Sequence, residues 1–174
     1  MIDSENITSE IEKELDIGVL PQFIGREELC INKILKRKKF KYNPDLNGIL
    51  IRYENMEIIS DTGRIIDDSP YIFWKIRAKF HIFNVRKNQL ISTKIDRICS
   101  KYIGSNYAKC IDIIIKFEND QIENEIKRLV NSGNLRVESE IIFKVKSFQP
   151  SQQYLEGLID DEILNNLKAI TSNH

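Results

Sequence analysis

Residues 71–85, YIFWKIRAKFHIFNV, alternate apolar and polar side chains over an unusually long run. Ile72, Trp74, Ile76, Ala78, Phe80 and Ile82 share one parity, and Tyr71, Phe73, Lys75, Arg77, Lys79, His81 and Phe83 the other. A helix repeats its faces about every 3.6 residues, so this pattern specifies a strand, and one longer than the usual ~5–6 residues. A strand of that length often crosses between two packed units. We expect the face Ile72/Trp74/Ile76/Phe80 to be buried. Trp74 reads as core more than as a contact, because it shares a face with Ile72 and Ile76.

The remaining pattern is mixed. Ile7, Ile11 and Leu15 recur every fourth residue with Glu10, Glu12 and Glu14 between them, which we read as a short amphipathic helix. An extended stretch at 17–23 ends at Gly25. Residues 26–39 read as a second helix with Leu29, Cys30, Ile34 and Leu35 on one stripe. Asn43-Pro44-Asp45 is a turn signal, followed by a β-rich run at 48–59, a turn at 60–63, a short strand at 64–66 and another turn at 67–70. Beyond residue 86 come strand-like runs at 90–99, 108–117, 140–148 and 154–159. An amphipathic helix at 121–130 falls among them, and a last helix at 161–170 carries Asp160, Asp161 and Glu162 at its N-terminus. If 101–117 holds two strands with a bend near Gly104, the order is that of a five-stranded OB barrel. The fold class is therefore α+β, with a boundary near Arg86–Asn88.

The formal net charge is zero, but the charges are segregated. Residues 1–25 carry six acids and one lysine, residues 26–41 seven bases and two acids, and residues 71–116 ten bases against Asp96 and Asp112. Such segregation favours partners of definite sign, a nucleic acid or a complementary protein surface. Enzyme chemistry has little to stand on. The two histidines are His81, inside the predicted strand, and His174. Nucleotide-loop and zinc-protease motifs are absent, and three scattered cysteines make neither a disulfide framework nor a zinc site. No catalytic, cofactor or metal residue is expected, and a reducing intracellular compartment is the natural setting. The acidic N-terminus is not a secretory signal, and no apolar run is long enough for a membrane helix.

The stretch LPQFIGREELCINKILKRKKFKYNPDLNGILIRYENMEI resembles the N-terminal tip domain of RNA polymerase stalk subunits, and GRIIDDSPYIFWKIRAKFHIF resembles the larger stalk subunit of RNA polymerase I. VESEIIFKVKSFQPSQQYLEGLI is similar to the last two strands of that family's OB domain. The resemblance implies a tip domain at 1–86, an OB-fold domain at 87–160 and a C-terminal helix or tail at 161–174. It implies a non-catalytic stalk subunit that docks on the polymerase I core by its tip and serves rRNA transcription initiation in the nucleus and nucleolus. The implied partners are core subunits, a small second stalk subunit, a Pol I-specific initiation factor and weakly held single-stranded RNA, with no cofactor and no membrane. Core docking falls to Tyr42, Asn43, Gly48, Tyr53, Asn55, Gly63, Asp67 and Asp68. Nucleic-acid or partner contact falls to Lys36, Arg37, Lys38, Lys39, Lys75, Arg77 and Lys79. The barrel's middle departs from the family, with Tyr102-Ile103-Gly104 and Ile111–Ile115 in place of its usual elements.

Other readings stand beside these. Gly48 and Gly63 can serve turns or close backbone approach. Lys36–Lys39 can be a solvated helix end, and Asp67-Asp68 can simply shape the turn before Pro70. The equivalent subunit of polymerase II or III, or a free-standing OB-type RNA-binding protein, are the alternative functions. The Asp-Asp-Ser-Pro turn favours polymerase I. The acidic arm favours a docked subunit, because a lone RNA binder is expected to be net basic.

Overall fold

The computed structural model describes residues 7–171. The chain divides into two compact units, Thr8–Asn84 and a second comprising Ile7 and the chain from Val85 onward. The class is α+β, mostly sheet. The division falls between Asn84 and Val85, a little before the expected 86–88 boundary.

The unit at 8–84 is an antiparallel sheet with one helix on its inner face. β1 (Thr8–Val19), β5 (Ile72–Phe83), β3 (Gly48–Ile58) and β2 (Tyr42–Asn43) lie in that order, and β4 (Arg64–Ile65) pairs with the start of β5. The expected N-terminal helix is corrected: residues 8–19 form a strand. A spacing of four is a multiple of two, so Ile11 and Leu15 fit either element. The alternating Glu10, Glu12, Glu14 and Asp16, with Ile17 and Val19 continuing the apolar parity, favour the strand. β1 opposes β5 over its whole length, Ile11 facing Phe80, Leu15 facing Ile76 and Ile17 facing Trp74.

The inner parity forms the core, where Leu15, Ile17, Val19, Leu50, Ile76, Ala78, Phe80 and Ile82 are buried with Leu46. Ile72 and Trp74 are half-buried, Trp74 packing against the same cluster. α1 (Glu27–Lys38) covers the cluster with Ile31 and Leu35, both fully buried. Burying each contributes about 1.5–3 kcal/mol. The stripe expected from the sequence is shifted, because Leu29 is 65% exposed and Ile31 takes the inner position. Glu27 and Glu28 in the first turn and Lys36, Arg37 and Lys38 in the last complement the helix dipole. β3 carries two register shifts against β5, one of them around Asn55, whose φ is 51°.

The second unit contains β6 (Leu90–Lys94), β7 (Arg97–Ile98), β8 (Tyr102–Tyr107), β9 (Ile111–Phe117), α2 (Asp120–Asn131), β10 (Glu140–Gln149), β11 (Tyr154–Ile159) and α3 (Asp161–Thr171). The strand order is β6-β10-β11-β9-β8-β7, with β9 and β11 parallel and the other pairs antiparallel. β6 and β7 stand at opposite ends of this path yet are separated only by Ile95-Asp96. The sheet therefore curls back on itself. The Asp96 N–H donates to the Gly104 carbonyl (3.0 Å), and the Ser105 hydroxyl to the Lys94 carbonyl (2.6 Å).

Ile91, Ile95, Ile103, Ile113, Ile115, Phe143, Val145 and Leu155 are buried in this unit, with Ile122 and Ile126 of α2 and Ile163, Leu164 and Leu167 of α3. Gly157 lies so close under Phe143 that an added Cβ would meet its ring at 2.3 Å. The expected run at 90–99 breaks at Ile95-Asp96. The run at 101–117 does hold two strands, but the reversal is at Ala108 and Lys109, with φ of 52° and 58°, and not at Gly104. Two successive left-handed residues make the tight turn whose twist suits a hairpin. Asn119 caps α2 by accepting from the Ile122 N–H (2.9 Å), and Asp160 does the same for the Ile163 N–H (3.0 Å). No described helix is long and apolar enough to cross a membrane.

Candidate docking and nucleic-acid surfaces

The outer face of the first unit's sheet is a charge lattice. In register, Glu10 opposes His81, Glu12 opposes Lys79, Glu14 opposes Arg77 and Asp16 opposes Lys75. Lys79 reaches Glu10 at 2.6 Å, Arg77 reaches Glu14 at 2.9 Å and Arg64 reaches Asp16 at 3.0 Å. Lys75 and Glu14 stand 3.9 Å apart. The hydrogen bond from Lys79 lowers the Glu10 pKa, and donating to Glu14 and Glu10 raises the pKa values of Arg77 and Lys79. His81 is buried among these charges, Nδ1 lying 3.2 Å from Glu10 and Nε2 3.4 Å from Glu54. The Nε2 contact is not aligned as a hydrogen bond. The basic stripe Lys75/Arg77/Lys79, read from the sequence as a contact for nucleic acid or a partner, is thus held against an acidic strand of the same unit.

Lys36, Arg37, Lys38 and Lys39 occupy the C-terminal turn of α1 and its cap, and among the described residues none of them forms an ion pair. Lys39 stands over the Phe40 ring at 5.3 Å.

The residues assigned to core docking fall into two groups. Tyr42, Asn43 and Gly48 sit together in the β2–β3 pair, where Asn43 opposes Gly48 and accepts from the Asp45 N–H at 3.0 Å. Tyr53 is half-buried and donates its hydroxyl to Asn32 Oδ1 (3.0 Å), tying β3 to α1; burial raises its pKa. Gly63 makes room for β5, since a Cβ there would meet Ile72 Cγ2 at 2.2 Å and the Trp74 indole at 3.0 Å. These five shape the unit. Asn55, Asp67 and Asp68 are exposed, Asp67 with φ 41°. Among the described residues no cluster of His, Cys, Asp and Glu could hold a metal ion. The reading of the sequence overlooked Ile65 and Ile66, 75% and 42% exposed beside the two aspartates. Two adjacent aliphatics directly before the acidic turn at 67–70 were the available signal.

On the second unit, the outer face of β8, β9 and β11 presents three cross-strand rows: Tyr102–Lys116–Leu158, Gly104–Ile114–Glu156 and Asn106–Asp112–Tyr154. Lys146 and Lys116 converge on Glu156 at 2.9 and 3.1 Å, and their bonds lower its pKa. Asn106 donates to Asp112 at 3.0 Å. The Arg97 guanidinium lies 5.9 Å from the Tyr102 ring centre. This face is polar with few cations left over.

No protein-family model matches the chain. Curated proteins do. A Dictyostelium discoideum protein described as a probable DNA-directed RNA polymerase I subunit RPA43 is 27% identical over 150 residues, 81% of this chain and 42% of its own length. The chain is similar to RNA polymerase I subunit RPA43. The mouse RPA43 is 27% identical over 99 residues, covering 57% of this chain and 30% of that protein. The Schizosaccharomyces pombe RPA43 is 28% identical over 61 residues, 35% of each. The chain thus spans well under half the length of these RPA43 proteins. The resemblance to the polymerase I branch is borne out by these RPA43 relatives.

Proposed function

We propose that this chain is a non-catalytic stalk subunit of RNA polymerase I, acting in rRNA transcription initiation in the nucleus and nucleolus. The observation that carries the reading is the RPA43 similarity: a match over 81% of the chain cannot fit inside either unit alone. In this reading residues 8–84 are the tip domain and dock on the polymerase core. The end of β4 and the connection to β5 are the leading contact, because they expose Ile65 and Ile66 beside Asp67 and Asp68. An exposed aliphatic pair among acids is what a docked loop carries.

The second unit is read as an OB barrel. Three features support that: the helix between β9 and β10, the parallel β9–β11 pair and a first strand split into β6 and β7 that serves both ends of the sheet. Its contribution to nascent RNA is weak, because Glu156 already takes up Lys116 and Lys146. A Pol I-specific initiation factor and a small second stalk subunit complete the proposed partners.

Affinity purification of the tagged chain followed by mass spectrometry tests this. Recovery of the largest polymerase I subunits is the expected result. Recovery of those of polymerase II or III moves the chain to another enzyme, and recovery of no polymerase leaves a free RNA-binding protein.

A further inference from the structure

A depression open to solvent flanks α1 where the edge of the sheet's core reaches the surface. Ile17, Leu20, Phe23, Ile34, Tyr71 and Phe73 line a depression of about 650 Å³ between α1 and the strand ends. A second, of about 280 Å³, continues over Phe23, Cys30, Ile34 and Leu29. Leu29 in the lining of the second is 65% exposed, and Ile24, next in sequence to Phe23, is 63% exposed. Arg26, Lys33, Arg37 and Lys38 surround the two depressions, and among the described residues none of these four forms an ion pair. Two of the acids there are already engaged: Asp16, in the lining of the first depression, holds Arg64 at 3.0 Å, and Glu27 accepts from the Gly25 N–H at 2.6 Å.

We propose that this groove binds an acidic segment of a partner protein that carries aliphatic side chains. The lining takes the aliphatic anchors while the four cations pair with flanking carboxylates, in the manner of a helix or strand laid into a groove. A protein segment fits better than a single-stranded nucleic acid. Leu29 and the neighbouring Ile24, the most exposed apolar side chains there, offer no flat face for a base; of the three lining aromatics Phe23 and Phe73 are half-buried in the walls, and Tyr71 is exposed at 43%. A second copy would have to bring acids other than Glu10 and Glu14 of β1, which are already paired with β5, and self-association is therefore one outcome of the test. The inference rests on the polymerase reading only for where the segment comes from.

The test uses the full chain and a fluorescein-labelled synthetic helix of about 16 residues, leucine at every third or fourth position and glutamate elsewhere. Binding is expected by fluorescence anisotropy. It should weaken about tenfold or more in Leu29→Asp and in the Lys33→Glu/Arg37→Glu pair, and stay unchanged in Lys127→Glu on α2. All these positions are exposed, and equal melting temperatures confirm that folding is intact. The proposal is overturned if the helix does not bind, or if a lysine-for-glutamate version binds as well. It is also overturned if polyuridine RNA of equal length displaces the helix, which would assign the surface to nucleic acid. Self-association abolished by Leu29→Asp would assign it to a second copy and overturn the proposal too. Co-purification separates the two readings. Wild-type chain without polymerase I subunits removes the polymerase reading and leaves the helix titration standing. Wild-type and Leu29→Asp chains recovering the same partners in the same amounts overturn the groove alone.

Discussion

Gly63 and Trp74 are coupled through a contact that leaves no room for a methyl group. A Cβ at position 63 would lie 2.2 Å from Ile72 Cγ2 and 3.0 Å from the indole. Gly63→Ala is therefore expected to cost about 1–3 kcal/mol, as overpacking does, and Gly63→Val more. Trp74→Ala is expected to cost about 3 kcal/mol, the lower end for a large aromatic, since the side chain is only half-buried. Urea denaturation of the two variants measures both, and an unchanged midpoint for Trp74→Ala would make it a surface contact. The carboxylates set the acid side of stability. Hydrogen bonds from Lys79 and Lys146 hold Glu10 and Glu156 below the usual glutamate range. Groups with depressed folded pKa values stabilise fully above the unfolded value, about 4.3, and lose that stabilisation as pH falls through the folded one. Melting temperature is therefore expected to be flat near neutrality and to fall below about pH 4.3. Glu10→Gln and Glu156→Gln should each flatten that fall.

At the scale of elements, the β1–β5 pair joins an acidic strand to a basic one with apolar residues on the shared inner face. Reversing Lys75, Arg77 and Lys79 to Glu sets like charges opposite one another in the ladder, which is destabilising. The melting temperature of the triple variant should drop, and Glu10→Lys, Glu12→Lys and Glu14→Lys added to it should restore most of the loss. An RNA-contact role for the stripe predicts otherwise: RNA binding lost, stability unchanged, and no rescue by the second triple change. α1 divides its work between faces, Ile31 and Leu35 inward and Leu29 outward. Leu29→Asp should thus leave stability nearly unaltered, whereas Leu35→Ala should cost about 2–5 kcal/mol.

At the scale of the whole molecule, the proposed stalk role needs docking surfaces more than a nucleic-acid cleft. The second unit's outer face spends Lys116 and Lys146 on Glu156 and carries Asp112 beside Asn106. The intact chain is expected to bind single-stranded RNA more weakly than about 10⁻⁶ M at physiological salt, with affinity falling steeply as salt rises. Titrating labelled RNA at two salt concentrations checks this. Tight, salt-insensitive binding would make the chain an RNA reader. Ile65→Asp/Ile66→Asp should reduce recovery of polymerase I subunits without changing the melting temperature.

Residues 72–83 were legible as a strand because a twelve-residue alternation admits no helix. α2 and α3 were legible from their apolar stripes, and α3 also from Asp160, Asp161 and Glu162 at its N-terminus. The stretches at 20–58, 63–83 and 137–159 carried the resemblance to the polymerase I stalk subunit in the sequence alone. What sequence could not decide depended on neighbours distant along the chain. Ile11 and Leu15, four apart, suited helix and strand alike, and only β5, some sixty residues on, supplied the ladder that made β1 a strand. The choice between Leu29 and Ile31 as α1's inner residue depended on where the sheet lay beneath it. The basic stripe of β5 read as a free surface because its acidic counterpart, adjacent in space, is remote in sequence. Local periodicity sets what an element can be; the partner that removes its apolar face from water, or meets its charges, is supplied only when the chain closes on itself.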